Sequence, residues 1–136
     1  MPLVSRKGIL AIAAVIDVAV NARTRPVSAK VLASRHKLPP RHLEPVLQAL
    51  VREGILKGIR GPHGGYALGR ERRRISAEQI LRAAASAEDE NEPALPASPF
   101  INNVVRPALA EAERGFAAAL AGITIDDMAR RAEALK

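Results

Sequence analysis

The sequence predicts a mainly α-helical domain that carries one small β-hairpin. Along most of the 136 residues, apolar side chains recur every three or four positions, which is the spacing of one face of an α-helix. One stretch differs, because Gly61-Pro-His-Gly-Gly65 is a dense cluster of turn-forming residues between two short apolar segments. Aromatic residues make up only 2% of the chain, so the core is expected to be aliphatic.

The first helix is predicted to begin after Ser5, which can cap it, and to run to about Ala22. Its apolar stripe consists of Ile9, Ile12, Ala13, Ile16 and Val20. With Arg6 and Lys7 before it, the apolar run looks like a weak targeting segment. Asp17 interrupts the run, which is also too short to span a bilayer. We therefore expect a buried helix.

A helix–turn–helix unit is predicted after the first helix. Ser28 is a natural N-cap for a second helix through about Arg35, and a third helix follows from about Pro40 to Glu53. The inward positions are Val31 and Leu32, then Leu43, Val46, Leu47, Leu50 and Val51. Pro45 lacks a backbone N–H and crowds the preceding turn, so the third helix either starts near His42 or bends at the proline.

The hairpin is predicted from the segment that follows the third helix. Gly54 stands where a helix C-cap glycine is expected, because glycine adopts the left-handed conformation at little cost. The strands would carry Ile55, Leu56 and Ile59 on the way out and Tyr66 and Leu68 on the return. The tip carries Arg60 and His63, and its glycines would let the backbone approach another surface closely, such as a DNA groove.

The charge distribution favours a polyanionic partner. The net charge is +7 and the pI is near 10.8. Residues 1–74 hold 15 Lys and Arg against four Asp and Glu, a net of +11, and residues 75–136 hold six against ten, a net of −4. Positive charge therefore gathers in the half that contains the hairpin, which favours nucleic acid over an ordinary solvated surface.

The segment after the hairpin predicts a linker, a helix and a loop. Residues 69–74 are basic and either lie along phosphates, which we favour, or form a solvated turn. Ser76 with Gln79 forms a capping box that begins a helix to about Ala87. Residues 88–99 are acidic, rich in proline and without periodicity, which predicts a loop.

A long helix with one apolar face is predicted from about Ile101 to Ala121. Pro107 either bends this helix or lies just after its start. We expect its apolar face to pack against the same helix of a second chain, although packing on its own core is the alternative. The residues predicted to form this dimer are Val105, Leu109, Ala112, Phe116 and Leu120. Thr124 and Asp127 then begin a terminal helix to about Leu135.

The resulting fold class is a winged helix–turn–helix DNA-binding domain with a small β-hairpin wing and a long C-terminal dimerisation helix. The DNA-binding domain covers residues 1–87, the acidic loop 88–100, and the dimerisation and terminal helices 101–136. In such a unit the second helix enters the major groove by its first residues, here Arg41, His42 and Glu44. Two alternatives stay open for Arg41 and His42. They either read the bases directly, or they contact phosphate or solvent.

The order of elements and four segments resemble the Rrf-two family of bacterial winged-helix transcription factors. The segments are Pro26–Ala33, His42–Leu47, Gly54-Ile-Leu and Arg60-Gly-Pro-His-Gly-Gly-Tyr66, of which the last is the most specific. The resemblance implies a homodimer on double-stranded operator DNA, with Arg60 in the minor groove, where a narrow groove attracts arginine. The predicted DNA-binding residues are Ser28, Lys30, Pro40, Arg41, His42, Glu44, Lys57, Arg60, Gly61, His63, Gly64, Gly65 and Tyr66.

One departure from that family bears on sensing. Its sensing members hold an iron–sulfur cluster through cysteines in the loop between the short and long helices, but this chain has no cysteine. Residues 88–99 also lack histidine, so the resemblance implies DNA binding without a cluster or other cofactor. A signal would enter through a small molecule between the long helix and the DNA-binding half, a partner protein, or protonation of His42 or His63. A constitutive repressor is the remaining alternative.

The leading functional prediction is a dimeric, sequence-specific transcriptional regulator, acting as a repressor in the cytoplasm and not at a membrane. The alternative is a basic module that binds an acidic protein without specific DNA contacts. An enzyme is not expected, because no nucleophile–base pair or metal-ligand spacing occurs, and Gly61–Gly65 lacks the Lys-Ser/Thr of a phosphate-binding loop.

Overall fold

The computed structural model describes residues 4–86 and 97–135, and these residues form six α-helices and one two-stranded sheet. The elements are α1 (Arg6–Asn21), α2 (Ala29–Arg35), α3 (Pro40–Arg52), β1 (Leu56–Ile59), β2 (Gly65–Leu68), α4 (Ala77–Ala85), α5 (Arg106–Ala121) and α6 (Ile125–Glu133). The predicted mainly helical fold with one hairpin is confirmed. Most of the predicted acidic loop lies outside the described residues.

Helix α1 lies at the centre and is capped as predicted, since the Gly8 amide donates to Ser5 Oγ at 3.0 Å. The predicted apolar stripe is confirmed in part: Ile12, Ile16 and Val20 are partly buried and pack against the core, whereas Ile9 is 49% exposed. The buried positions are instead mostly small: Gly8, Ala11, Ala14, Val15, Val18 and Ala19. Helices α3, α4 and α6 all pack on α1, and small side chains let them approach closely.

Helix α2 begins at the predicted cap, where the Val31 amide donates to Ser28 Oγ at 3.1 Å. Leu32 is buried as predicted, but Val31 is exposed, because a helix of seven residues covers the core with a single turn of side chains. The turn that follows places Lys37 in the left-handed conformation, with φ of 56°. The Leu38 amide donates to the Ala33 carbonyl at 2.9 Å and closes this helix end.

Helix α3 begins at Pro40, so it does not start near His42. The His42 amide donates to the Pro39 carbonyl at 3.0 Å, and Pro45 lies on the exposed side. Four of the predicted inward residues are buried: Leu43, Val46, Leu47 and Leu50. At the other end, Gly54 has φ of 75° and the Ile55 amide donates to Leu50 at 3.0 Å, which confirms the predicted glycine cap.

The hairpin pairs β1 with β2 in antiparallel register, from Leu56 opposite Leu68 to Ile59 opposite Gly65. We call this hairpin, with its tip, the wing. Val27 adds a bridge beside β2, because its amide donates to the Tyr66 carbonyl at 2.9 Å and its carbonyl accepts from the Tyr66 amide at 2.7 Å. This pairing fixes the wing next to the start of α2.

In the basic linker after the wing, two arginine side chains bind other groups of the protein and not phosphate. Arg70 Nη2 donates to the Glu53 carbonyl at 2.7 Å. Arg72, in a short 3-10 turn, pairs with Asp126 at 2.9 Å and Glu133 at 3.2 Å. The preferred phosphate interpretation is therefore wrong for Arg70 and Arg72, because both guanidinium groups are held by the protein.

Two predicted capping boxes lie side by side and join the C-terminal helices to the core. Ser76 caps α4 with Gln79, and Thr124 caps α6 with Asp127. Between them, the Ala77 amide donates to Ile123 at 2.8 Å and the Ile125 amide to Ile75 at 2.7 Å. Ile125 and Ala129 lie in the same core as α1 and α4. The division of the chain at residue 100 stays a prediction.

Helix α5 begins one residue before Pro107, as one of the two predicted alternatives requires. Residues Ile101–Val105 continue it backwards as a wider π-helical segment, in which the Arg106 amide donates to the Ile101 carbonyl. Proline has no N–H to bond the preceding turn, and this favours the wider winding. No residue of α5 is buried, although Phe116 and Leu120 are partly covered where α5 meets α4.

Candidate nucleic-acid interface

The predicted binding residues come from α2, α3 and the wing, and two observations bring these elements together. A surface cleft of about 440 Å³ is lined by Ser28 from the start of α2 and by His63 and Gly64 from the wing. In addition, the charge of Glu44 in α3 acts on Tyr66 of the wing. Burial and the Glu44 carboxylate raise the pKa of the Tyr66 phenol above its usual 10.0.

The wing tip presents a cation without an internal partner. Arg60, Gly61, Pro62 and His63 are all exposed. Within residues 4–86 and 97–135, the side chains of Arg60 and His63 make no hydrogen bond or ion pair. The tip is closed by the Gly64 amide, which donates to the Gly61 carbonyl at 2.9 Å, and Gly61 has φ of 117°. The turn is thus fixed while Arg60 stays available to another molecule.

Two glycines of the wing have an intramolecular reason to be glycine. A Cβ on Gly64 would lie 2.2 Å from the Ile59 carbonyl oxygen, and one on Gly65 would lie 2.5 Å from the Val27 carbonyl oxygen. Both distances are impossible for a real side chain. Contacts within the chain therefore require these two glycines whether or not DNA is bound, and the predicted approach to a DNA groove stays a prediction.

Helix α3 divides into a buried and an exposed side. Leu43, Val46 and Leu47 face the core, while the predicted recognition residues are exposed: Pro40, Arg41, His42 and Glu44. None of these four side chains has a hydrogen bond or ion pair to another described residue. Lys30 of α2 is exposed in the same way. The exposed side of α3 therefore offers donors and an acceptor to a partner.

Lys57 is separated from the residues that face α3. It pairs across the hairpin with Ala67, whereas Tyr66 pairs with Gly58, and successive strand residues point to opposite faces. Lys57 lines a different cleft, together with Ala22 at the end of α1. The structure therefore does not place Lys57 on the Tyr66 side of the wing.

Two residues at this surface were missed by the sequence analysis. Arg25 lies just before Pro26 and lines the cleft beside Ser28 and His63. Its signal was the short basic segment Arg23-Thr-Arg25, which was interpreted only as the end of the first helix. Arg35 lines the same cleft but is bound to Asp17.

Asp17 is a buried carboxylate that holds α2 against α1. It is 7% exposed and is the buried charged residue among those described. Arg35 Nε donates to Oδ2 at 3.0 Å and its Nη2 forms an ion pair with Oδ1 at 2.9 Å, and Asn21 Nδ2 donates to Oδ1 at 3.0 Å. His36 Nε2 lies 3.0 Å from Oδ2. Every oxygen is therefore satisfied, which burial of a charge requires. A single Asp inside an apolar helix was the available signal, but its partners are distant in sequence.

The chain matches the model of the Rrf2 (Rrf-two) family, described as iron-dependent transcriptional regulator, over residues 4–131. Among curated proteins it is 32% identical over 83 residues to the HTH-type transcriptional regulator IscR of Klebsiella pneumoniae. The match covers 61% of this chain and 51% of that protein. The chain thus aligns with about half the length of this relative.

Solved structures extend the likeness over nearly the whole chain. IscR of T. potens is 30% identical with a TM-score of 0.74, over 98% of this chain and 90% of that one. CymR, described as the global cysteine regulator of B. subtilis, is 26% identical with a TM-score of 0.69, over 94% and 96% of the two chains. Both support the winged-helix architecture and the family assignment.

The donor groups of this chain do not fit an iron site of the cysteine type. The sequence has no cysteine, and the ten residues outside the description between 86 and 97 include neither cysteine nor histidine. In the described part of the chain, no three His, Cys, Asp or Glu residues are grouped so that they hold a metal ion. We therefore assign no step to iron. In the same part of the chain, no helix has the length and apolar character needed to cross a membrane.

Proposed function

Because the chain belongs to the Rrf2 family of transcriptional regulators, we propose that it represses transcription as a homodimer that binds a specific DNA sequence without an iron–sulfur cluster. The observation that carries this proposal is the set of unpaired polar side chains on the exposed side of α3 and at the wing tip. They lie on the half of the chain with a net charge of +11, residues 1–74.

The two elements divide the recognition between them. Helix α3 is the second helix of the helix–turn–helix unit, and its exposed first turns present Arg41 and Glu44 to the major groove. Arginine matches the edge of guanine, and a carboxylate accepts from the amino group of cytosine. Arg60 at the wing tip then reaches the adjacent minor groove.

Helix α5 supplies the dimer interface. Large apolar side chains are exposed on α5 and on the segment just before it: Phe100, Val104, Val105 and Leu109. Apolar surface of this extent on a helix supports burial against a partner, and a second copy provides the same helix by symmetry. Ala112 lies exposed on the same face, whereas Phe116 and Leu120 already contact α4 of their own chain.

Selection of bound duplexes from a random DNA pool, at one fixed moderate salt concentration, tests the proposal. Enrichment of a two-fold symmetric site is expected, because a symmetric dimer presents two identical α3–wing units. Binding without enrichment, which collapses as salt rises, would reduce the activity to general phosphate attraction. It would favour the alternative of a basic module that recognises an acidic protein.

A further inference from the structure

A second cleft lies beside the wing, at the C-terminal end of α1. We call it the α1–wing cleft. It has a volume of about 560 Å³ and is lined by the C-terminal end of α1, the segment Arg23–Pro26 and residues of both strands of the hairpin, Lys57 among them. None of the recognition residues of α3 lines it. Its size is that of pockets that take small molecules.

The base of the α1–wing cleft is apolar. It includes Ala22 from the end of α1 and Ile59 and Leu68 from the two strands of the wing. Ile59 is 39% exposed, although it is a large aliphatic residue in a strand. The cleft therefore offers hydrocarbon surface to an occupant.

The rim of the α1–wing cleft is cationic and only partly neutralised. Arg23 and Arg72 both pair with Glu133 of α6, and Arg72 also pairs with Asp126. Arg25 and Lys57 differ, because neither has an ion pair or a side-chain hydrogen bond within the described residues. Two uncompensated positive charges thus stand beside an apolar base.

We propose that the α1–wing cleft binds a small amphipathic organic anion. Its carboxylate would lie between Arg25 and Lys57, and its hydrocarbon body on Ile59 and Leu68. A DNA phosphate would satisfy the charges but would leave the apolar base uncovered, so the apolar surface favours the organic acid. Because both strands of the wing form the base, an occupant bears directly on the wing. An effect of the occupant on DNA binding through the wing rests on the proposed function. The binding of the occupant itself does not.

Methyl NMR of the 136-residue chain with octanoate as the probe tests the site without DNA. Saturable shifts are expected at the methyl groups of Ile59 and Leu68. The methyl groups of Leu81 and Leu120 line a separate groove between α4 and α5 and are expected to stay unchanged. The uncharged 1-octanol should bind at least about fivefold more weakly, because it lacks the group that the two cations hold.

Charge variants make the test specific. The double variant Arg25→Gln, Lys57→Gln should weaken octanoate binding about fivefold or more, since two partly exposed ion pairs are lost. The matched control Arg73→Gln removes an exposed cation outside the cleft and should leave the affinity unchanged. Absence of saturable shifts at Ile59 and Leu68 would overturn the proposal, as would shifts confined to Leu81 and Leu120. Equal displacement of octanoate by inorganic phosphate would show an ordinary phosphate site instead.

Discussion

At the scale of single residues, two unusual positions fix the helix–turn–helix unit. Asp17 ties α1 to the end of α2 through Arg35 and His36, and Lys37 then turns the chain with a positive φ. Asp17 stabilises the unit through a buried carboxylate whose two oxygens both have partners. Lys37 adopts a conformation that glycine takes more readily. Substitutions at these two positions should therefore change stability in opposite directions.

Replacing Asp17 with Asn should lower the free energy of unfolding by about 1–3 kcal/mol, because hydrogen bonds to a charged acceptor are lost in a buried place. The lower part of this range is expected, since Arg35 and His36 are partly exposed and regain water. Urea denaturation followed by circular dichroism measures the change. Glu111→Gln, an exposed carboxylate on α5, is the control and should be neutral. Equal stability of the two variants would contradict the assigned role of Asp17.

Replacing Lys37 with Gly should raise the free energy of unfolding by about 0.5–1 kcal/mol, because the left-handed conformation strains a residue with a side chain. The same denaturation experiment detects the increase. Lys30→Gly is a control of opposite sign, since glycine inside α2 should cost about 1 kcal/mol. A loss of stability in Lys37→Gly would show that the Lys37 side chain contributes contacts that outweigh the strain.

At the scale of elements, α6 is fastened to the rest of the chain by charge and α5 is left with an open apolar face. Arg72 lies between Asp126 and Glu133, at the two ends of α6. An adjacent face of α6 buries Ile125 and Ala129 against the core. Helix α5 lacks any buried residue of its own. The attachment of α6 should accordingly depend on pH, and the association of chains through α5 should depend on protein concentration.

The attachment of α6 should weaken in acid. The hydrogen bond and charge of Arg72, helped by Arg23, hold the pKa of the Glu133 carboxyl below its usual 4.5. A carboxyl with a lowered pKa in the folded state stabilises the protein above its unfolded pKa, and that stability is lost as pH falls through the folded value. Glu133→Gln should therefore unfold more easily than the wild type at pH 7, with the difference shrinking below about pH 4. A difference that is constant with pH in thermal melts would refute this.

The open face of α5 should control the oligomeric state. Leu109→Glu places a charge on the exposed apolar stripe, so sedimentation equilibrium should show the molar mass of a monomer where the wild type shows a dimer. Ala118→Glu introduces the same charge on the exposed opposite side of the helix and should leave the dimer intact. If Leu109→Glu still sediments as a dimer, another surface must form the interface.

At the scale of the whole molecule, local signals were predictable and long-range packing was not. The caps at Ser5, Ser28, Ser76 and Thr124 and the glycine at position 54 act within a few residues, and the structure confirms each of them. The burial of small residues on α1, by contrast, follows from three helices that pack on it at once. Helical periodicity predicts that the bulky residues of α1 are buried, whereas close packing of three helices buries its small residues.

The candidate binding surface shows the same limit. Exposure of the α3 residues and of Arg60 follows from their place in the helix–turn–helix and hairpin pattern. The side of the wing on which Lys57 lies depends on strand register, and the engagement of Arg70 and Arg72 depends on residues distant in sequence. The position of Arg25 at this surface depends on the pairing of Val27 with Tyr66, which are distant in sequence.

The most direct test of the account compares two arginines on one selected DNA site. Arg60→Ala and Arg73→Ala remove the same charge, but only Arg60 lies at the wing tip. Affinities are measured for the selected duplex and for a scrambled duplex at the same salt concentration. Arg60→Ala should reduce the ratio of the two affinities about tenfold, whereas Arg73→Ala should leave that ratio unchanged. An unchanged ratio in Arg60→Ala would contradict specific recognition by the wing.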